Sequence, residues 1–224
     1  MNSMDSHEED LYPDVTAAGG LAAAARQAAE LRGRDIGIEP WETDAVCIDT
    51  ARGYLSVDTA AEERLFRLRV HIPECGWDIG STDDLGTLVE AIAAWREGVP
   101  SDELKARFDF LTLDDFTRAL EAGEPTAAQW ADLLSSSYYE GQRNLLRRLH
   151  ADEVLRNTFP TMTHRAVRLR VDPMHWMSRQ ILVREPEEGR YEVVRVGVPG
   201  TDWTEVPGDE LIAYLRAALY DQSS

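Results

Sequence analysis

"RLFRLRVHI", residues 64–72, decides the fold class. Phe66, Leu68, Val70 and Ile72 fall on one side, and Leu65, Arg67, Arg69 and His71 on the other. A period of two is the period of a half-buried strand, because successive side chains of extended backbone point to opposite faces. Immediately downstream, "GSTDDLGTLVEAIAAWREG", residues 80–98, changes period: Leu85, Leu88, Val89, Ile92 and Trp95 recur at helical spacing. Ser81 or Thr82 is expected to cap this helix, since their oxygens accept its first unpaired amides. Asp83 and Asp84 then sit in the first turn, where the helix dipole stabilises negative charge. Gly98 ends the helix and Pro100 blocks its continuation.

The same alternation of periods extends both ways. Residues 17–34 form an Ala-rich helix with Leu21, Ala25, Ala28 and Leu31 near helical spacing, opened by Gly19 and Gly20 and closed by Gly33. Val46 and Ile48, a turn at Arg52 and Gly53, and Tyr54 to Val57 read as a hairpin. Ser101 is expected to cap a further helix carrying Leu104 and Phe108. Residues 114–157 are helical, with apolar positions at Phe116, Leu120, Trp130, Leu133, Leu145, Leu146, Leu149 and Leu155, and breaks at Gly123 to Pro125 and near "SSSYYEG". Strands return where Val167, Leu169 and Val171 alternate with Arg168 and Arg170, followed by a hairpin over 181–196. A last helix carries Leu211, Ile212, Leu215 and Leu219.

This pattern predicts an α+β fold: two small antiparallel β-sheets, each covered by helices and joined by a helical middle segment. The expected layout is a mobile acidic tail (1–14), an N-terminal α+β unit (15–112), a helical connector (113–157) and a C-terminal α+β unit (158–224). "RLFRLRV" echoes "RAVRLRV", and "STDDLGTLVEAI" echoes "VPGDELIAYLRAAL", which suggests a diverged internal repeat.

The 224 residues include 41 acidic and 23 basic side chains, a net charge of -18. Such a field repels nucleic acid and anionic lipid, so neither is an expected partner, and it attracts a basic protein. No apolar run reaches membrane-spanning length. The start is acidic and lacks the apolar core of a secretory signal. Cys47 and Cys75 are too few for a disulfide scaffold, and would pair only if two strands brought them together. A cytoplasmic location follows as the expectation. Lys105 is the only lysine, which with the abundant Ala and Arg matches the codon usage of a GC-rich, actinobacterial type of genome.

No glycine-rich phosphate loop, nucleophile elbow or Cys-x-x-Cys pair is present. The five histidines show no zinc-ligand spacing, so no metal and no cofactor are expected. Within "FPTMTH", His164 is the catalytic candidate, a general base if a carboxylate or substrate lies near; the structural alternative is a strand-entry histidine bonded to backbone. Asp83 with Asp84, and Asp114 with Asp115, are adjacent pairs that diverge by about 100° on a helix and therefore cap rather than catalyse. Arg67 and Arg69 share one strand face, and Arg168 and Arg170 another; each pair could grip an anionic ligand or a carboxylate-rich peptide. A solvated face neutralised by the chain's own carboxylates is the alternative. Trp176, in "MHWM", joins these arginines as a candidate contact residue, and Trp41, Trp77 and Trp203 would mark contact surface if exposed.

Several of these motifs, in this order, resemble an actinobacterial family of unknown function labelled as natural-product biosynthesis proteins. They are the Ala-rich helix, Gly80-Ser81-Thr82-Asp83-Asp84-Leu85 with Trp95, Phe108-Asp109-Phe110, Gln129-Trp130, Phe159-Pro160 through Thr163-His164, and Leu169-Arg170. The resemblance runs from about Pro13 onward; Asp109 stands where that pattern has proline, and Thr163 where it has serine. It implies association with biosynthetic clusters and no particular reaction. Three functions follow as expectations: an accessory or binding protein holding a peptide, carrier or enzyme partner; an immunity-like protein neutralising a basic toxin; or an enzyme on a biosynthetic intermediate with His164 as base.

Overall fold

The computed structural model describes residues 10–220. The chain divides into two compact units. The first runs to His71 and resumes over Gly76–Asp114; the second takes Ile72–Cys75 and everything from Asp115.

In the first unit, α1 (Pro13–Ala18) and α2 (Leu21–Glu30) precede β1 (Val46–Thr50), β2 (Gly53–Thr59), β3 (Phe66–Ile72) and β4 (Cys75–Thr82), and α3 (Leu85–Arg96) and α4 (Ser101–Arg107) follow. The four strands form one antiparallel meander in chain order. Register pairs Ile48 with Leu55 and Leu55 with Val70, so the apolar sets of three strands fall on one buried face. Leu88, Val89, Ile92 and Trp95 of α3 are buried as well. Trp95 Nε1 donates to Thr50 Oγ1 at 3.3 Å, and the Arg52 guanidinium donates to the carbonyls of Trp95 and Val99 at 3.0 and 2.9 Å, satisfying the helix C-terminus. Gly20, at φ 138°, has no room for a side chain: a Cβ there would run into the Thr43 carbonyl oxygen.

Three details differ from the expectation. The cap of α3 is Asp84, whose Oδ1 accepts from Thr87 N–H at 2.9 Å, while Ser81 and Thr82 finish β4. A strand running straight to Thr82 needs those residues extended, which moves the cap two positions on. The N-cap of α4 is Pro100, and Ser101 is its first residue and is buried. Ordered structure also starts earlier than the expected tail boundary. Tyr12 Oη donates to Ala60 O at 2.8 Å, and Asp14 takes a two-point bond from Arg64 at 2.7 and 2.8 Å. The rest of that expected tail, residues 1–9, lies outside the described residues.

In the second unit, α5 (Asp115–Glu121), α6 (Pro125–Ser135), a 3-10 segment (Ser137–Gln142) and α7 (Arg143–His150) precede β5 (Phe159–Thr163), β6 (Ala166–Arg170), β7 (Gln180–Glu187), β8 (Arg190–Arg195) and β9 (Thr204–Pro207), and α8 (Leu211–Tyr220) closes the chain. The five strands are again an antiparallel meander in chain order. Trp130 and Leu133 of α6, and Leu145, Leu146 and Leu149 of α7, share one core with Val167, Leu169, Ile181, Val183, Leu211 and Leu215. The helical middle thus supplies much of the second core. Trp130 Nε1 donates to Thr158 O at 3.0 Å, so the indole is buried with its polar atom satisfied.

In both units helices precede the meander, which is followed by α3 and α4 in the first and by α8 in the second. The helix echo falls on equivalent elements, α3 and α8, each following the last strand of its sheet. The arginine-strand echo does not. Counted back from the closing helix, β3 is the second strand and β6 the fourth.

Candidate functional site

The candidate residues fall in different places. Arg67 and Arg69 lie on the outer face of the first sheet. Arg67 is exposed and has no ion pair among the described residues; Arg69 lies 2.8 Å from Asp78 and 3.9 Å from Asp58. Beside them His71 shares a 2.8 Å hydrogen bond with Ser56 through Nε2 and stacks on Tyr54 at 4.5 Å. Burial, and then the neighbouring Arg69 charge, push the imidazole pKa down, so this ring is neutral at pH 7. Cys47, across from Ser56 in the register, is exposed, and neither it nor Cys75 forms a disulfide among the described residues. Partial burial and the adjacent Asp49 and Glu42 push the Cys47 thiol up, away from the thiolate form.

Arg168 and Arg170 share a face as expected, yet that face is covered. The Arg170 side chain is 2% exposed and that of Arg168 12%. Both donate to Gln180 Oε1 at 3.0 Å. Glu74, which groups with this unit, approaches Arg168 at 3.1 Å and Arg170 at 4.0 Å. The pair is held by internal partners.

Trp176 is presented on the loop between β6 and β7. Asp172 N–H donates to Ser178 Oγ at 2.8 Å, and Met174 N–H donates to Asp172 Oδ1 at 2.9 Å. Ser178 N–H donates to His175 O, and Val171 N–H to Arg179 O, both at 3.0 Å. These bonds fold the loop on itself and leave Trp176 54%, Met177 86% and Met174 39% exposed. Three large apolar side chains on one internally bonded loop are unusual at a monomer surface. Trp41 is also exposed, and Trp203 is partly covered by Arg184, whose guanidinium sits 4.3 Å above its ring.

His164 occupies the turn between β5 and β6, not a strand entry. Thr163 pairs with Ala166, so His164 and Arg165 form a two-residue loop, with φ of 46° and 66°. Positive φ at both positions is the type I′ pattern, normally filled by Asn-Gly. The His164 ring shares a 3.1 Å hydrogen bond with Thr163 Oγ1, its sole hydrogen-bond partner among the described residues. His164 and Arg165 line a groove of about 690 Å³ with Tyr138, Gln142, Arg184 and Glu185.

Comparison of the chain with family models, with curated proteins and with solved structures gives no match. Among the described residues no group of three or more His, Cys, Asp or Glu could hold a metal ion, and no helix is long and apolar enough to cross a membrane.

His164 and Trp176 stand out in the sequence by residue type, but their settings do not. The strand β5 holds Pro160, which argues against a strand, and so concealed the hairpin that places His164 at a tip. Met174 and Met177 carried a usable signal, flanking Trp176 between two arginine-bearing strands.

Proposed function

We propose that this chain is an accessory protein that binds a basic protein partner through the β6–β7 loop. The observation that supports this most is the internally bonded loop with Met174, Trp176 and Met177 turned outward. Aromatic anchors held in one geometry lose little entropy on docking, and tryptophan is enriched among residues that dominate binding energy. The net charge of -18 gives the partner its sign, since complementary fields raise association rates and reject acidic proteins. The resemblance noted above favours a cytoplasmic partner from natural-product biosynthesis, a carrier, enzyme or peptide. The same charge favours, as a second reading, an immunity-like role against a basic toxin. The genes beside this one separate the two.

The test is photo-crosslinking from position 174 on the same loop, in a lysate of the source cells, repeated with Trp176→Ala and with Met177→Asp. A basic protein captured by the wild-type chain should bind Trp176→Ala at least about thirtyfold more weakly, the loss typical of a dominant interface residue. Its binding should weaken further with added salt. An acidic partner, a partner indifferent to both substitutions, or crosslinks only to a second copy of the chain would each overturn the reading.

A further inference from the structure

We propose that the groove under the His164–Arg165 turn binds a small organic oxyanion, a carboxylate or phosphate carried on an apolar body. This is a second site, independent of the partner surface on the β6–β7 loop. The groove's volume of about 690 Å³ lies in the range of small-molecule sites. In a chain with 41 acidic and 23 basic residues, His164, Arg165 and Arg184 line it against one carboxylate, Glu185. That carboxylate is already engaged, since Glu185 Oε1 accepts from Gly189 N–H at 2.9 Å.

The two arginines divide the work. Arg184 is fixed by Glu192 at 2.6 Å and by the Trp203 ring. Arg165 has no ion pair or hydrogen bond among the described residues, so its planar fork is free for the two oxygens of an anion. Tyr138 and Gln142 add neutral donors, and Leu145 and Pro186 add apolar wall.

The turn itself supports the assignment. Two consecutive residues with side chains occupy left-handed backbone, a conformation that asparagine and glycine adopt at lower cost. The neighbouring β7–β8 hairpin places the one left-handed residue of its turn on a glycine, Gly189 at φ 79°. Strain of this kind persists where side chains are needed for something other than the turn. Here they bring an imidazole and a free guanidinium to the groove.

The full-length protein should be titrated calorimetrically with phenyl phosphate, benzoate and phenol. One of the two anions should bind saturably, at least about tenfold tighter than phenol, as expected when charged hydrogen bonds contribute. Whichever anion binds more tightly identifies the head group. Replacing the turn by its preferred sequence, His164→Asn with Arg165→Gly, should raise Tm while weakening the anion at least about tenfold. Arg165→Ala should weaken it alike, and Arg67→Ala on the other unit should leave it unchanged. The proposal is overturned if neither anion saturates by about 10 mM, if phenol binds equally, or if the double variant keeps full affinity. It is also overturned if the double variant lowers Tm, or if Arg67→Ala weakens binding as much as Arg165→Ala.

Discussion

The strands β3 and β6 share the run Arg-Leu-Arg-Val, at Arg67 to Val70 and at Arg168 to Val171. In β3 the arginines face outward, Arg67 in solvent and the Arg69 side chain 39% exposed beside Asp58 and Asp78. In β6 the same pattern is roofed over, and Gln180 and Glu74 take the place of water. Alternation fixes which residues share a face. Whether that face is open depends on what else in the chain packs over it, and no local period carries that information.

The largest test of this contrast removes one arginine from each strand. Arg170→Ala should destabilise the second unit by about 2–3 kcal/mol in urea unfolding, somewhat below the cost of breaking a fully buried pair, because Glu74 reaches solvent. Arg69→Ala should cost less than about 1 kcal/mol and lose even that in high salt, as exposed pairs do. Equal losses would erase the distinction between the two faces.

A smaller effect compares the two carboxylate–arginine bonds, one in each unit. Asp14 is held by Arg64, and Asp152 by Arg216, whose Nε donates at 3.0 Å. The arginine hydrogen bond is the main cause that lowers each carboxyl pKa. A lowered pKa in the folded state means stability that is present above the unfolded value and lost as pH falls through the folded one. Asp152 is the more buried acid, and it also accepts from the amides of Val154 and Leu155 at 3.1 and 3.0 Å. Asp152→Asn should therefore lower Tm more than Asp14→Asn at pH 7, and both deficits should vanish in strong acid.

The smallest effect concerns His71. Its lowered pKa has the opposite consequence for a base: the unfolded chain binds the proton first, so stability falls as pH drops below about 6.5. His71→Gln should flatten that part of the pH profile of the first unit while leaving the Arg170 region untouched. An NMR titration placing His71 at or above an ordinary histidine value would break the argument.

How much was legible follows the strength of the period. β3 and α3 were read in place because each buries four or more residues at one spacing. β4, β5 and β9 were not. β4 buries only Ile79, β5 contains Pro160, and β9 is four residues long with Val206 alone buried. Their extended shape comes from pairing with neighbours, which a local pattern does not encode. For the same reason His164 was chosen from its type, while its left-handed turn and groove depend on the unseen pairing of β5 with β6.

Local pattern and composition carry the α+β class, the alternating faces of β3 and β6, the helices α3 and α8, and the acidic field. All of these follow from side-chain period and charge, which are properties of neighbours along the chain. The tertiary structure alone decided that Arg168 and Arg170 are covered while Arg67 is open. It also decided that Trp176 is displayed between two methionines and that His164 and Arg165 meet Arg184 across a groove. The covered arginines and the groove depend on residues distant in the chain, which meet only once the second sheet has closed on its core, whereas the Trp176 loop is set by bonds within residues 171–179.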